Sequence, residues 1–288
     1  MKTQPYITRQ NMLASDYEIF YYSDRCLDMV NLHHHDFYEC YLFLSGDVTY
    51  YVEGKVYPLL PGDIILINTK ELHQPIINNK ELPYDRIVLW LNKAFIRSLS
   101  TENIDLANCF EDTEKDNVLR ADIEIQQNIK IILNKLLNLS SYKGIGKELL
   151  YKGYITELLI VLNNILFLNY EKTDIETDNS NLIDNVIHYI NNHLEEVIRI
   201  EDLSNHFFIS KFHLLRKFKK QSGTTLHKFI IQKKFIYAKE LIITGMPINQ
   251  VHERCGFGDY SNFFRAFKNE YGMTPKQFYE MMKRQGIE

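Results

Sequence analysis

Cysteine is scarce: four residues in 288, Cys26, Cys40, Cys109 and Cys255, widely spaced and never as C-x-x-C. That pattern disfavours both a disulfide framework and a zinc ribbon, and it suits reduced thiols in a cytosolic protein. Tryptophan occurs once, as Trp90. Long apolar runs are missing: the most apolar stretch, 155–168, is broken by Glu157, Asn163 and Asn164. It falls short of the ~20 apolar residues that a membrane span needs. The first residues, MKTQPYITRQNML, contain no apolar core of a signal peptide. There is no G-x-x-x-x-G-K-[ST], no H-E-x-x-H and no Ser/His/Asp constellation, so no enzyme class and no cofactor is indicated. The expectation is a soluble, cytoplasmic chain with no membrane partner.

What is present is uneven. Net charge is −4 overall, which alone argues against nucleic acid. Residues 181–288, however, carry 16 Lys/Arg against 11 Asp/Glu, and residues 1–180 carry 17 against 26. A basic end joined to an acidic one suggests a nucleic-acid-facing module attached to something else. A length of 288 also suits about two domains.

The N-terminal part reads as strands. YEIFYY (17–22), ECYLFL (39–44), VTYYVE (48–53), DIILIN (63–68) and DRIVLWLN (85–92) are rich in β-branched and aromatic residues. Ser45-Gly46-Asp47, Glu53-Gly54-Lys55 and Pro61-Gly62-Asp63 are turn signals between them. Short strands at this spacing predict a sandwich or barrel. After Trp90 the apolar period becomes helical, with two long amphipathic helices at 122–139 and 147–168. Their apolar stripes are more often core than interface. EKTDIETDNSN (171–181) is polar and without period, a linker. Beyond it seven short helices are predicted: 184–194, 200–207, 210–221, 226–244, 248–255, 260–271 and 275–284, with Gly223 and Gly272 as C-terminal stops.

The helical part repeats itself at a shift of 49 residues: SKFHLLRKFKKQSG (210–223) overlays DYSNFFRAFKNEYG (259–272). Ser210 and Asp259 match as N-caps, Leu214 with Phe263 and Phe218 with Phe267 as core, and Arg216 with Arg265 on the opposite face. Each copy reads as a helix-turn-helix. A plain helical bundle with a solvated basic face is the blander alternative, which the duplication disfavours. The outward faces offer Phe212, Leu215, Arg216 and Lys219, then Tyr260, Ser261, Phe264, Arg265 and Lys268. Arginine can grip guanine bidentately, apolar groups can touch the thymine methyl, and lysines suit phosphates.

Residues 182–284, and above all GFGDYSNFFRAFKNEYGMTPKQF (256–278), resemble the DNA-binding domain of the AraC/XylS family of transcription regulators. The resemblance implies seven helices, a long joining helix at 226–244 and two recognition helices in successive major grooves. By position it implies that Phe212, Leu215, Arg216, Tyr260, Ser261, Phe264 and Arg265 face bases. It also implies double-stranded operator DNA, RNA polymerase and a second copy of the chain as partners, the last paired through the helices that follow the barrel.

His33-x-His35-(x)3-Glu39-(x)6-Gly46 has the spacing of the first cupin motif, and alternate strand residues share a face. Pro61-Gly62-Asp63 with His73, ten residues lying between Gly62 and His73, resembles the second motif but departs from its metal-binding spacing. Residues 15–92 resemble the family's sensor barrel. A small-molecule effector pocket of His33, His35, Glu39, His73, Tyr41 and Trp90 is the favoured reading, with no metal assigned. A metal site on the same residues, or satisfied polar groups at a barrel mouth with His34 exposed, are the alternatives. Trp90 suits the core equally well.

The expected fold is thus α+β in two domains. A cupin-like effector-binding and dimerisation barrel with trailing helices covers 1–170, a linker 171–181 and an all-α double helix-turn-helix 182–288. The expected function is effector-responsive, sequence-specific transcription activation, the effector being a small polar metabolite such as a sugar. A metal-dependent cupin enzyme with a DNA-binding tail, or an effector-free adaptor, would be the rivals.

Overall fold

The computed structural model describes residues 11–27, 30–113, 115–170 and 182–284. The linker expected at 171–181 lies outside them. The chain divides into an N-terminal and a C-terminal unit.

In the N-terminal unit eight strands form two antiparallel sheets. They are β1 (Tyr17–Asp24), β2 (Tyr38–Ser45), β3 (Val48–Val52), β4 (Lys55–Pro58), β5 (Ile64–Ile67), β6 (His73–Ile77), β7 (Tyr84–Leu91) and β8 (Val118–Leu119). One sheet has the order β1-β7-β2-β5-β8, the other β4-β3-β6. The interior strand β7 pairs Trp90 with Glu18 on one side and Glu39 on the other. Alternation along β2 splits its side chains between two cores. Tyr41 and Phe43 join Val48, Tyr50, Val52, Val88 and Trp90 between the sheets. Tyr38, Cys40 and Leu42 point the other way, into a second core with α3 (Ile123–Asn138) and α4 (Lys147–Tyr170). The larger sheet is covered on both faces, which is why β5 is a continuous buried run, Ile64 to Ile67, without alternation.

The five expected strands are present. β4, β6 and β8 were not expected. β4 is short and mostly exposed, β6 carries Pro75, and β8 is a two-residue edge, so none shows a clear period. Two short helices, α1 (Lys93–Leu99) and α2 (Asn108–Glu111), also precede the long ones. α1 starts where Asn92 Oδ1 accepts from the Ala94 and Phe95 amides, at 2.8 and 3.3 Å. Helical register carries the pattern past the polar breaks, and residues 147–168 are long and apolar enough, by length and composition, to cross a membrane. One face of that helix, Ile155, Leu158, Leu159, Leu162, Ile165 and Leu166, is buried against the sheet side. Leu149, Ile160, Phe167 and Leu168 are exposed.

The C-terminal unit is helical: α5 (Leu182–Asn192), α6 (Ile200–His206), α7 (Lys211–Ser222), α8 (Leu226–Ile243), α9 (Ile248–Arg254), α10 (Tyr260–Tyr271) and α11 (Pro275–Arg284). Both expected stops hold the left-handed conformation glycine favours, Gly223 and Gly272 at φ 68°. α8, about 27 Å long at 1.5 Å per residue, packs Phe229 edge-on against Phe218 of α7, at 5.4 Å between centroids. Further along, Phe235, Ala238 and Ile242 pack with Val251, Phe263, Phe267 and Phe278. One rod thereby holds both helix-turn-helix units.

Candidate functional site

The two second helices are built alike. Ser210 Oγ accepts from the His213 amide at 3.2 Å, and Asp259 Oδ1 accepts from the Asn262 amide at 2.8 Å. Leu214 and Phe218 of α7, like Phe263 and Phe267 of α10, are fully buried. The outward residues then follow from helical spacing. Phe212, Arg216 and Lys219 are exposed with Leu215 half-buried; Tyr260, Ser261, Arg265 and Lys268 are exposed with Phe264 half-buried. Both arginines lie along their own helices. Arg216 sits 5.8 Å from the Phe212 ring centroid, and Arg265 donates to Asn262 Oδ1 at 2.8 Å and to the Ser261 carbonyl at 3.3 Å. Each guanidinium remains in solvent.

Phe208 escaped the sequence reading. It occupies the turn of the first unit at φ 53°, where the second unit has Gly256 at φ 61°, and its ring is 95 % exposed. A bulky residue in this conformation is strained, and exposed besides. The signal was in the repeat: upstream of the second helix its shift is 48 residues, Ile200 on Ile248, and that register sets Phe208 on Gly256.

Inside the N-terminal unit, an isolated antiparallel bridge sets His33 opposite His73, through His33 N to His73 O at 3.1 Å and His73 N to His33 O at 2.9 Å. The rings of His33 and His73 lie 4.3 Å apart, those of His35 and His73 4.8 Å. His35 stacks on Phe37 at 4.0 Å, and Phe37 packs on Trp90 at 4.5 Å. Glu39 is buried beside them, its Oε2 accepting from Trp90 Nε1 at 2.7 Å and lying 3.6 Å from His35 Nε2. Tyr50 Oη donates weakly to Glu39 Oε1 at 3.4 Å. Burial, reinforced by His35, pushes the His33 imidazole down to about 4, and burial with His33 and His35 pushes that of His73 well below the usual imidazole range. Burial alone would raise the Glu39 carboxyl, but the surrounding imidazoles outweigh it and hold it well below the usual carboxylate range. Near neutral pH the imidazoles of His33 and His73 are therefore neutral beside a carboxylate.

Of the six expected pocket residues, His33, His35, Glu39 and His73 converge, and Trp90 holds Glu39. Tyr41 does not reach the cluster: its hydroxyl donates to that of Tyr84. Tyr84 belongs to a second buried polar group that the sequence reading missed. There Arg86 is fully buried, pairs with Asp24 at 2.7 Å, donates to the Tyr84 carbonyl at 3.0 Å and covers the Tyr84 ring at 4.1 Å. An arginine in mid-strand gave no cue of its own. His34, taken as exposed in the blander alternative, is buried at 3 % exposure, because His33 and His35 on either side do not alternate cleanly in this irregular segment.

Comparison with known proteins matches residues 20–159 to an AraC-like ligand binding domain and residues 203–281 to a helix-turn-helix domain. The chain belongs to the AraC/XylS family. It is a DNA-binding transcription regulator with an N-terminal ligand-binding domain. Over 250 residues this AraC-family regulator is 28 % identical to LumQ of Photobacterium leiognathi, named a probable transcriptional regulator, covering 85 % of this chain and 90 % of that one. It is 25 % identical to the HTH-type transcriptional regulator YfiF of Bacillus subtilis, covering 88 % and 79 %. The xylose operon regulatory protein of Escherichia coli K12 is 28 % identical over 120 residues, 41 % of this chain and 31 % of that protein.

Proposed function

We propose that this regulator is a homodimeric, effector-responsive activator working in the cytoplasm, and that it is not an enzyme. Its domains would span 1–170 and 182–288, joined by a linker at 171–181. Phe212, Leu215, Arg216, Lys219, Tyr260, Ser261, Phe264, Arg265 and Lys268 contact operator DNA, and RNA polymerase is the partner of the bound form. The observation that carries this reading is the duplicated, N-capped helix with an exposed arginine at the same place in both copies. Relatives named as transcriptional regulators support the absence of enzymatic activity. The apolar residues exposed on α3 and α4, Ile123, Ile131, Leu149, Ile160, Phe167 and Leu168, support a second copy packing there.

The effector binds among His33, His35, Glu39, His73 and Trp90, with Tyr41 at one remove, and acts through differential affinity for two states of the dimer. A xylose operon regulator among the relatives supports a sugar as one class to try. Selection of binding sites from random duplexes, followed by anisotropy titration, tests the function. The expected result is a selected sequence bound in the nanomolar range, with affinity falling steeply as salt rises. Failure to enrich any sequence would overturn it.

A further inference from the structure

The two helix-turn-helix units make the same backbone turn but cover it differently. In the first, the Phe208 amide donates to the Asn205 carbonyl at 3.1 Å and the Ile209 amide to that of Ser204 at 3.0 Å. In the second, 48 residues on, the Gly256 amide donates to the Glu253 carbonyl at 2.9 Å and the Phe257 amide to that of His252 at 2.8 Å. The first turn leaves the Phe208 ring in solvent. The second is roofed by Lys234 of α8, buried at 3 % exposure, whose Nζ donates to the carbonyls of Glu196, Cys255 and Gly256 at 2.5, 2.8 and 3.1 Å. An ammonium has three hydrogens, so all three are engaged. Gly256 has no room for a side chain: a Cβ there would lie 2.1 Å from the Glu196 carbonyl oxygen and 2.5 Å from Lys234 Nζ. The same shift of 48 sets the buried Val186 and Ile187 of α5 on Lys234 and Phe235 of α8. The first unit thus has an apolar side chain at the place where the second has an ammonium.

We propose that Lys234 is a positioning residue for DNA recognition: its ammonium fixes the turn between α9 and α10 and thereby aims the second recognition helix at its groove. The path from one to the other is short. Lys234 Nζ lies 5.8 Å from the Phe257 ring centroid. That ring stacks on Phe235 of α8 at 5.5 Å and meets Phe263 of α10 edge-on at 5.3 Å. Phe263 is fully buried, and Arg265 stands on the other side of the same helix, exposed. A small roll of α10 about Phe263 would carry Arg265 past the base edge it has to meet. The energetics favour this role over a purely structural one. Burying an ammonium costs more than burying an apolar side chain unless its hydrogens are bonded, and the first unit closes the same turn with Val186 at the matching place. The charge is therefore not required for the turn to form. What it adds is geometry, because it gathers three carbonyls from two segments onto one point. Burial pulls the ammonium down to about 8, which leaves it charged near neutral pH. The inference rests on reading α7 and α10 as the two recognition helices, and it names what orients the second.

The test footprints the full chain on its selected operator, as wild type and as Lys234→Met, Lys234→Arg and Gly256→Ala. Folding of each variant is checked by circular dichroism. The wild type should protect two segments. Lys234→Met, which keeps the length of the side chain and loses its donors, should protect only the first segment and bind about 10–100-fold more weakly. Gly256→Ala, which pushes the ammonium away without removing it, should do the same. Lys234→Arg, which keeps a charge and N–H donors for the same carbonyls, should restore the second segment. Where the variants fail to fold, amide hydrogen exchange of the wild type decides: Gly256 and Phe257 should exchange more slowly than Phe208 and Ile209, although the two turns share one hydrogen-bond pattern. Two segments at wild-type affinity in folded Lys234→Met would overturn the proposal. So would equal losses in the Met and Arg variants, or equal exchange at the two turns. Failure of the underlying reading looks different: the wild type itself would protect a single segment, and the proposal would fall with it.

Discussion

The two units place their polar chemistry on opposite sides of their cores. The N-terminal unit turns it inward: His35, Glu39, His73 and Arg86 are buried within a two-sheet core, and their orientation is set by strand alternation, backbone carbonyls and one tryptophan. The C-terminal unit turns it outward. Apart from polar side chains buried along α8, among them Lys234, which donates to the Cys255 carbonyl at 2.8 Å, its cores are apolar, and Arg216, Lys219, Arg265 and Lys268 stand in solvent on helices fixed by caps and buried phenylalanines. The contrast teaches which changes can be separated. Inside the barrel, altering a functional side chain alters the fold's energetics too. On the recognition helices, function can be removed with the fold left standing.

The largest effects should come from removing what each unit hides. Phe267→Ala, which strips the ring packed against Phe235, Tyr271 and Phe278, should destabilise the C-terminal unit by about 3–5 kcal/mol. Arg86→Ala should cost the N-terminal unit a similar ~3–5 kcal/mol, because it leaves Asp24 without its buried partner. Hydrogen exchange resolved by segment checks both. Loss of protection confined to 182–284 in the first and to 11–170 in the second is the expected pattern, and the reverse pattern would break the comparison.

Next come the outward residues. Arg216→Ala and Arg265→Ala should each weaken operator binding by about 1–3 kcal/mol, with stability changed by no more than about 0.5 kcal/mol. Equal losses of stability and affinity would mean that the arginines serve the fold. The cap variants Ser210→Ala and Asp259→Ala fall between these cases: about 1 kcal/mol of stability each, read by denaturant titration, with a smaller effect on DNA affinity. Smallest should be Lys219→Ala. It should weaken all duplexes alike and reduce the slope of log affinity against log salt by roughly one. A loss restricted to one sequence would reassign that lysine to a base.

The C-terminal unit was almost wholly legible in the sequence. Its signals are local: a cap, an apolar period and a glycine stop recur within each helix, and the duplication of Ser210/Asp259, Arg216/Arg265 and Gly223/Gly272 checks each against the other. The barrel was legible in its long strands and in the His33–Glu39 spacing, but not in what completes the site. His73 itself stood out by its spacing from Pro61-Gly62-Asp63, but the bridge that sets it against His33 joins residues 40 positions apart and has no local sign. Tyr41 alternates correctly with Glu39 along β2, yet its hydroxyl is claimed by Tyr84 from β7, a long-range event with no local sign. Arg86 was hidden for the same reason: its partners Asp24 and Tyr22 come from the far end of β1.

The central claim is that two equivalent helices read one duplex side by side. Base-contact footprinting of the full chain on its selected operator, repeated with Arg216→Ala and with Arg265→Ala, tests it most directly. The account predicts two protected major-groove segments per subunit on one face of the DNA, about one helical turn apart, with each variant erasing a different one. A single protected segment, or identical footprints in the wild type and both variants, would contradict it.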